Sequence, residues 1–286
     1  MFLVKFLAVI FACIPDSFVM LLARILSPLI LNAAKKEKWG LLFFRIIPKV
    51  FPEKDGQWHS MVIKKNAVHL MKFGGEMLQA RYKKPFWGLP KCYIKEGKEN
   101  FESLLNSDEG FIIMTCHLGN WEYAAGWLSV KYSRRLYAPV FVEESEGNRA
   151  LNWLRGGRDV VILETSYNPR VSARTLLKMI NLLKNGQIIY LVADQQALGG
   201  DYKGMFFGKE LGIFGGPFIL GQKTGKPILP LYNFRDEKNK IALCFEEQFV
   251  LNGENLDEDI SIVMDFFERN IRKHPDQYIW SQDRWQ

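Results

Sequence analysis

The sequence predicts an α/β fold: a mostly parallel central sheet flanked by helices, preceded by an N-terminal apolar helical segment that associates with a membrane. From residue 91 onward, short apolar runs of strand length alternate with amphipathic stretches of helix length. That alternation is typical of parallel strands joined by helical crossovers. The first fifty residues consist largely of apolar runs instead. We therefore divide the chain into a membrane-associating helical segment, residues 1–50, and an α/β domain, residues 51–286, which is long enough to bury a full core.

The N-terminal segment is apolar but interrupted. Residues 1–14 contain Lys5, and residues 18–34 contain Arg24 and Pro28. A central arginine costs about 2.5–3.5 kcal/mol in a membrane-spanning helix, and no uninterrupted apolar run reaches the length that spans a bilayer. The pattern therefore favours a helix or helix pair lying in the membrane interface. The alternative is a cleaved signal peptide, which the weakly charged start and the lack of a small-residue cleavage site disfavour.

Charge and composition indicate a cytoplasmic protein that meets an anionic surface. Residues 1–100 hold 17 Lys/Arg and 7 Asp/Glu, a net charge of +10, so the other 186 residues carry −3 of the total of +7. Basic residues interleaved with apolar runs suit an anionic membrane, and no nucleic-acid-binding motif is present. The 21 Phe and 8 Trp suit contact with lipid or a dense core. The four cysteines have neither disulfide nor metal spacing, which predicts reduced thiols.

The predicted elements follow from hydrophobic period and from end signals such as Asn185-Gly186 and Gly225 with Pro227. Predicted helices cover residues 58–82, 98–106, 121–130, 148–154, 172–183, 215–223 and 257–273. Predicted strands cover residues 91–96, 111–116, 134–142, 159–163, 187–192, 228–232 and 241–249, the last as an edge strand. A polar, glycine-rich loop is expected over residues 195–208.

Residues 111–122, FIIMTCHLGNWE, place a strand, a turn and a helix in succession. The apolar, β-branched run predicts a buried strand that ends just before His117, and the outlet of such a strand is where open α/β sheets place their chemistry. Gly119 permits a tight turn, and Asn120 can cap the helix that follows. The pattern thus brings an imidazole, the Glu122 carboxylate and a helix N-terminus into one small volume.

His117 and Glu122 are five residues apart, so on one continuous helix they would point about 140° away from each other. A contact between them requires His117 on the turn. Glu122 would then accept a hydrogen bond from one ring nitrogen, and the other nitrogen would take a proton from a substrate hydroxyl. The residue types leave a structural alternative, since a histidine before a helix is often a cap and the helix dipole favours glutamate in a first turn. A metal site is disfavoured, because no HExxH or CxxC spacing occurs.

A second polar cluster follows the strand predicted at residues 187–192. Asp194 stands where that strand ends, as His117 does in its own segment, and Gln195 follows it. A glycine-rich stretch with Phe206-Phe207-Gly208 comes next. The ordinary interpretation is a polar loop between two elements; the alternative is a substrate site.

Three blocks in this order resemble one known family: His117-Leu-Gly-Asn-Trp-Glu122; Asp194-Gln195 with its glycine-rich loop and FFG; and His274-Pro-Asp-Gln-Tyr-Ile-Trp280 with Arg284-Trp285. They are similar to the bacterial lipid A biosynthesis (late or secondary) acyltransferases, within the HX4E lysophospholipid-acyltransferase-like superfamily, and to their relatives that acylate phosphatidylinositol mannosides. The resemblance spans nearly the whole chain. It implies that His117 is the general base and that Glu122 orients it.

The resemblance also implies a substrate pocket formed by the loop after Asp194, and we assign Asn120, Asp194 and Gln195 to substrate binding. The family commonly has an Arg-Pro pair after the strand that follows the motif, where this chain has Phe-Val-Glu at 141–143. Candidates for that arginine's oxyanion- or phosphate-binding role are Arg149, Arg155 and Arg158, of which Arg158 is our choice. Backbone N–H groups near Gly119 are the other oxyanion donors we expect.

The resulting hypothesis is an O-acyltransferase without metal or cofactor at the cytoplasmic face of the cell inner membrane. It would move a fatty acyl chain from acyl carrier protein or coenzyme A to a hydroxyl of a glycolipid such as a lipid A precursor. Its partners would be the thioester donor, the glycolipid acceptor and an anionic membrane surface, and not nucleic acid. Three alternatives stay open: a lysophospholipid or glycerol-phosphate acyltransferase, a non-catalytic membrane lipid-binding protein, and a metal-dependent hydrolase.

Overall fold

The computed structural model describes residues 1–35, 38–82, 92–142, 146–155, 160–195, 202–251 and 253–280. Their helices are α1 Phe2–Cys13, α2 Asp16–Ala34, α3 Lys38–Val50, α4 Gly56–Ala80, α5 Lys98–Asn106, α6 Trp121–Tyr132, α7 Glu146–Arg155, α8 Pro169–Lys184, α9 Gly216–Thr224 and α10 Leu256–Lys273, with a 3-10 turn at Pro275–Gln277. The strands are β1 Cys92–Glu96, β2 Phe111–Thr115, β3 Leu136–Phe141, β4 Val160–Thr165, β5 Ile188–Val192, β6 Lys203–Phe206, β7 Lys209–Gly212, β8 Ile228–Arg235 and β9 Ile241–Phe245.

Seven of the strands in these ranges form one sheet, in the order β1-β9-β8-β2-β5-β3-β4. All neighbouring pairs in it are parallel except β8 and β9, which run antiparallel. The predicted fold class, a mostly parallel sheet with flanking helices, is confirmed. The prediction that residues 241–249 form an edge strand is wrong, because β9 lies between β1 and β8 and β1 forms the edge.

Strand β2 lies inside the sheet, between β5 and β8, and all five of its residues are buried. Its alternate side chains enter different cores: Ile112 and Met114 pack in one, Phe111 and Ile113 in the other. A strand covered on both faces must be apolar throughout. This explains the unbroken apolar run and fixes the direction in which the chain leaves the sheet at His117.

Strands β6 and β7 form an antiparallel hairpin, and its first strand and its turn lie where the sequence predicts a loop. Phe207 and Gly208 make its two-residue turn, and both have positive φ, 50° and 74°, as a tight hairpin turn requires. Burial alternates along β6, with Phe206 inside and Met205 outside. The glycine-rich stretch therefore contains a short amphipathic ribbon, which its composition conceals.

The N-terminal segment folds into helices that pack on the domain. Helices α1 and α2 lie against α4, and their turn is held there by two polar contacts: Gln79 Nε2 donates to Ile14 O at 3.0 Å and Lys72 Nζ to Asp16 O at 3.0 Å. Within the described ranges, α2 is the helix long and apolar enough to cross a membrane, with its window at Asp16–Ala33, and α1 is a shorter apolar helix. Eleven large apolar side chains of the pair are exposed: Phe2, Leu3, Phe6, Val9, Ile10, Phe18, Leu21, Ile25, Leu26, Leu29 and Ile30.

Candidate active site

The ends of β2 and β5 bring the two predicted polar clusters together. The strands are parallel and paired with Thr115 opposite Val192, and the Ala193 N–H donates to Thr115 O at 2.9 Å. His117 and Asp194 each stand two residues beyond that last pair. Because neighbouring parallel strands release their chains at the same edge, the register alone places these two side chains side by side.

His117 and Asp194 form a hydrogen-bonded pair. His117 Nδ1 lies 2.6 Å from Asp194 Oδ1, and the His117 backbone N–H donates to the same oxygen at 3.2 Å. The Tyr278 hydroxyl donates to Asp194 Oδ2 at 2.8 Å. The Asp194 side chain is fully buried, whereas the His117 side chain is 12% exposed. A carboxylate oxygen accepts hydrogen bonds, so we assign the ring proton to His117 Nδ1, which leaves Nε2 as the nitrogen that can accept a proton.

The predicted contact between His117 and Glu122 is replaced by a different pairing. Glu122 Oε1 accepts a hydrogen bond from Arg155 Nε at 2.8 Å and a second, shorter one from Arg155 Nη2. The imidazole is oriented by Asp194 instead. The physical reason is that Glu122 lies in the first turn of α6, facing α7, while the sheet register supplies a carboxylate directly to the ring.

The residues assigned to substrate binding separate into three groups. Asn120 and Asp194 are buried and form hydrogen bonds within the protein: Asn120 Oδ1 caps α6 by accepting from the Tyr123 N–H at 2.9 Å, as predicted, and Asp194 Oδ1 contacts His117 Nδ1. Their assignment to substrate binding stays a prediction. Gln195 is exposed, with its Nε2 3.5 Å from His117 Nε2, so its assignment stays a prediction. Arg158, like the Arg284-Trp285 end of the third block, lies outside the described residues.

The turn between β2 and α6 is pinned by its own backbone. The Gly119 N–H donates to Gln277 O at 3.0 Å, the Leu118 N–H to Cys116 O at 2.8 Å, and the Asn120 N–H to Asn233 Oδ1 at 2.7 Å. These are the N–H groups that the sequence offered as oxyanion donors. They are already engaged, so that expectation is corrected. Arg155 is the candidate arginine whose contact with the motif, through Glu122, is seen in the described residues.

The C-terminal block supports the site as well. The Ile279 N–H donates to His117 O at 3.1 Å, and Tyr278 pairs with Leu118 in an antiparallel bridge. Asn66 of α4 holds the same tail, because its Nδ2 donates to Tyr278 O at 2.8 Å. The third sequence block therefore acts on the first through main-chain hydrogen bonds.

His69 contacts the turn from the side of α4, with its Nε2 3.1 Å from Gly119 O. Burial, then the nearby charge of Arg235, lowers the pKa of His69 to about 3, although the hydrogen bond to Gly119 opposes that shift. His69 is therefore neutral near neutral pH and donates a hydrogen bond to the turn. Its role is structural, and nothing in its local sequence indicated it.

A small apolar pocket adjoins Asp194 and Gln195. Its other walls come from the β6–β7 hairpin and α10, with Phe206, Leu211, Ile213 and Met264. The pocket holds about 10 Å³, which is room for one water at most. It is not a preformed channel for a long aliphatic chain, so an acyl chain that entered here would have to displace these side chains.

The sequence did not predict the contacts that two residues of this site make. Arg155 was one of three candidate arginines, and its contact with Glu122 joins two helices that lie 33 positions apart at these residues. Tyr278 stood inside the third block, but its contact with Asp194 spans 84 positions in sequence. The parallel register was the one usable signal for the His117–Asp194 pair, since both residues follow predicted strands.

Comparison with known proteins agrees with the resemblance. The chain matches the family described as "Bacterial lipid A biosynthesis acyltransferase" over residues 1–286. It is also 22% identical over 191 residues to the phosphatidylinositol mannoside acyltransferase of Mycobacterium tuberculosis (strain CDC 1551 / Oshkosh). That match covers 66% of this chain and 58% of the relative. The predicted family is confirmed. Both descriptions are of acyltransferases, and we take up that class of activity as a proposal for this chain below. The chain belongs to the bacterial lipid A biosynthesis acyltransferase family.

Proposed function

We propose that the protein transfers a fatty acyl chain from an acyl thioester to a hydroxyl of a membrane glycolipid, with His117 as the general base. One observation carries this proposal: a partly exposed imidazole is joined through Nδ1 to a fully buried carboxylate. That arrangement leaves one nitrogen to accept a proton and supplies an anion to stabilise the imidazolium that results.

The reaction is a single direct displacement. His117 Nε2 takes the proton of the acceptor hydroxyl as its oxygen attacks the thioester carbonyl. A tetrahedral oxyanion forms and collapses, the carbon–sulfur bond breaks, and the departing thiolate takes the proton from His117. No acyl-enzyme is needed, because the acceptor oxygen is itself the nucleophile. The buried Asp194 keeps the ring in one tautomer throughout.

For stabilising the oxyanion we propose Arg155 in place of Arg158, because the contact of Arg155 with the motif is described, whereas Arg158 lies outside the described residues. Glu122 holds the guanidinium through Nε and Nη2, and Trp121, the residue before Glu122, packs its ring 4.7 Å from the His117 ring. One oxyanion donor is typically worth about 2.7–4 kcal/mol. In this scheme Glu122 positions the Arg155 guanidinium. The acidic residue of the motif then has a function although it does not contact His117.

The donor and the setting follow from chemistry and charge. The donor is a thioester of acyl carrier protein or coenzyme A, and the acceptor is a glycolipid such as a lipid A precursor. The relative's name, which joins a mannoside to phosphatidylinositol, supports a sugar-bearing lipid. We place the protein at the cytoplasmic face of the inner membrane, where the basic first hundred residues and the exposed apolar faces of α1 and α2 meet anionic lipid.

The test is an acyl-transfer assay with purified protein in detergent. Each thioester donor is combined with a lipid A precursor, a phosphatidylinositol mannoside or a lysophospholipid, and products are identified by mass spectrometry. We expect transfer to a glycolipid and a loss of about 10²- to 10⁴-fold in kcat for His117→Ala. Full turnover by His117→Ala would refute the role of the base. Transfer to the lysophospholipid alone would show that the acceptor is a lysophospholipid and not a glycolipid. Lipid binding without consumption of thioester would indicate a non-catalytic lipid carrier.

A further inference from the structure

A line of alternating charges runs through the interior from the N-terminal helices to the catalytic turn. Asp16, the first residue of α2, has its Oδ1 2.5 Å from Lys72 Nζ, and Lys72 Nζ lies 3.5 Å from Glu76 Oε1. Arg235 Nη2 of β8 reaches Glu76 Oε2 at 2.6 Å. The Lys72 and Glu76 side chains are fully buried and Arg235 is 8% exposed. None of these four residues touches His117 itself.

A buried cluster of charges is an energetically unfavourable way to stabilise a contact between helices. Burying an ion pair costs several kcal/mol per ion in solvation, and well-packed apolar residues of similar size are often as stable or more so. Burial by itself would raise the pKa of Glu76, but the charges of Arg235 and Lys72, with hydrogen bonds from Arg235 and Asn120, lower it below the ordinary value. The carboxylate is therefore charged at neutral pH. Its placement calls for a role other than packing.

That role is visible at Asn120. Its Nδ2 donates to Glu76 Oε2 at 2.7 Å, which forces Oδ1 toward the Tyr123 N–H that it caps. Its backbone N–H donates to Asn233 at 2.7 Å. Glu76 thus selects one of the two orientations of the Asn120 amide, and this orientation sets how α6 leaves the turn that carries His117.

The N-terminal helices reach the site by a second route. Ala8 of α1 packs in one cluster with Leu154 of α7, and Lys5 Nζ lies 5.9 Å from the Trp153 ring centre. Helix α7 ends in Arg155, which Glu122 holds. The α1–α2 pair therefore contacts both the element behind the turn and the element that carries the cation.

We propose that Glu76 is a positioning residue for His117, and that Asp16 and Lys72 make the apolar N-terminal helices part of the active site's framework as well as a membrane anchor. This inference rests on the acyl transfer proposed above. It predicts that breaking the buried charges lowers turnover without weakening substrate or membrane binding.

Glu76→Gln is the first test, and the chain offers a matched control. Glu246 also binds an asparagine amide and an arginine, through Asn270 and Arg269, but it follows β9 and its backbone N–H donates to Pro230 O of β8. None of these partners belongs to the turn at residues 117–120. Both variants are assayed well below their melting temperatures. We expect Glu76→Gln to lower kcat at least tenfold with KM changed less than about twofold, while Glu246→Gln keeps the kcat of the wild type. Equal kcat values in the two variants would overturn the proposal.

Asn120→Ser is a second variant, which tests the proposal even if Glu76→Gln does not fold. Serine keeps a helix-capping oxygen but removes the amide that Glu76 orients, and it buries no new charge. We expect a fall in kcat with a KM close to that of the wild type, and a further Glu76→Gln change should then add little. Additive losses in the double variant would contradict a shared role.

Asp16→Asn tests the part played by the N-terminal helices, with Phe6→Ser on their exposed face as its control. We expect Asp16→Asn to lower kcat in detergent with vesicle binding unchanged, and Phe6→Ser to weaken vesicle binding with kcat in detergent unchanged. If Asp16→Asn has the same kcat as the wild type, these helices act as a membrane anchor and have no part in positioning the active site. His117→Ala in the same assay separates the two proposals: if it is inactive while Glu76→Gln equals its control, only the positioning role fails.

Discussion

At His117, the hydrogen-bond partner decides which ring nitrogen is left to accept a proton in the proposed reaction. The sequence offered Glu122, and the structure supplies Asp194, at 2.6 Å from Nδ1. Both are carboxylates near a helix or strand end, so residue type could not choose between them. The choice follows from strand register, which is a property of two segments 77 positions apart.

The two carboxylates are distinguishable by substitution. We expect Asp194→Asn to lower kcat by about 10²- to 10⁴-fold, since an amide no longer balances the imidazolium. Glu122→Gln should lower kcat less, because the amide oxygen can still accept from Arg155. The measurement is kcat at saturating substrates for both variants. A larger loss in Glu122→Gln than in Asp194→Asn would restore the pairing that the motif alone suggests.

His69 makes the protein sensitive to acid. The unfolded chain binds a proton on this histidine below pH 6.5, whereas the folded protein resists protonation down to about pH 3. Stability from this residue is therefore complete above pH 6.5 and is lost as the pH falls from 6.5 toward 3. At pH 5 the loss is about 2 kcal/mol. In urea unfolding at pH 8 and pH 5, we expect His69→Gln to lose less stability than the wild type. The same loss in both proteins would contradict the prediction.

Among the elements, the turn at residues 117–120 is tightly packed against the strand β8. Gly119 has φ +65°, and a Cβ added there would lie 2.3 Å from Asn233 O. This backbone oxygen cannot move aside without disturbing β8. The turn joins three elements that are far apart in sequence: α4, β8 and the C-terminal tail.

Gly119→Ala should therefore lower the free energy of unfolding far more than the same substitution at an ordinary left-handed glycine. Gly225→Ala is the control, because its φ is +59° and a Cβ there meets nothing within 4 Å. We expect a loss of about 1–2 kcal/mol for Gly225→Ala from backbone strain alone. Overpacking adds about 1–3 kcal/mol for Gly119→Ala. The free energy of unfolding in denaturant measures both, and equal losses would show that the turn can relax.

Most predicted helices and strands exist because local signals specify them. Helix α5 begins and ends at the predicted residues, and α6 has Asn120 as its predicted cap. The β6–β7 hairpin was missed because its strands are four residues each and glycine-rich. Pairing between its strands and packing on α10 stabilise the hairpin. Neither interaction requires a periodic sequence pattern long enough to be recognised.

For the whole molecule, the exposed apolar faces of α1 and α2 and the net charge of +10 in residues 1–100 lie on the same part of the chain. We expect binding to anionic vesicles to exceed binding to neutral ones and to weaken with salt, since screening acts on the charges alone. Leu29→Ser, at a position 64% exposed, should weaken binding to both kinds of vesicle. Vesicle flotation measures this. Equal binding to both vesicle types in the wild type would exclude the electrostatic part.

The sequence by itself determined the fold class, the family, the positions of most elements and the histidine at the end of β2, because hydrophobic period, caps and short motifs are local properties. The tertiary structure alone decided which carboxylate meets that histidine, which arginine binds Glu122, and that a buried line of charges links the first helices to the turn. These are distances between segments remote in sequence. They are set by strand register and helix packing, and no local pattern encodes them.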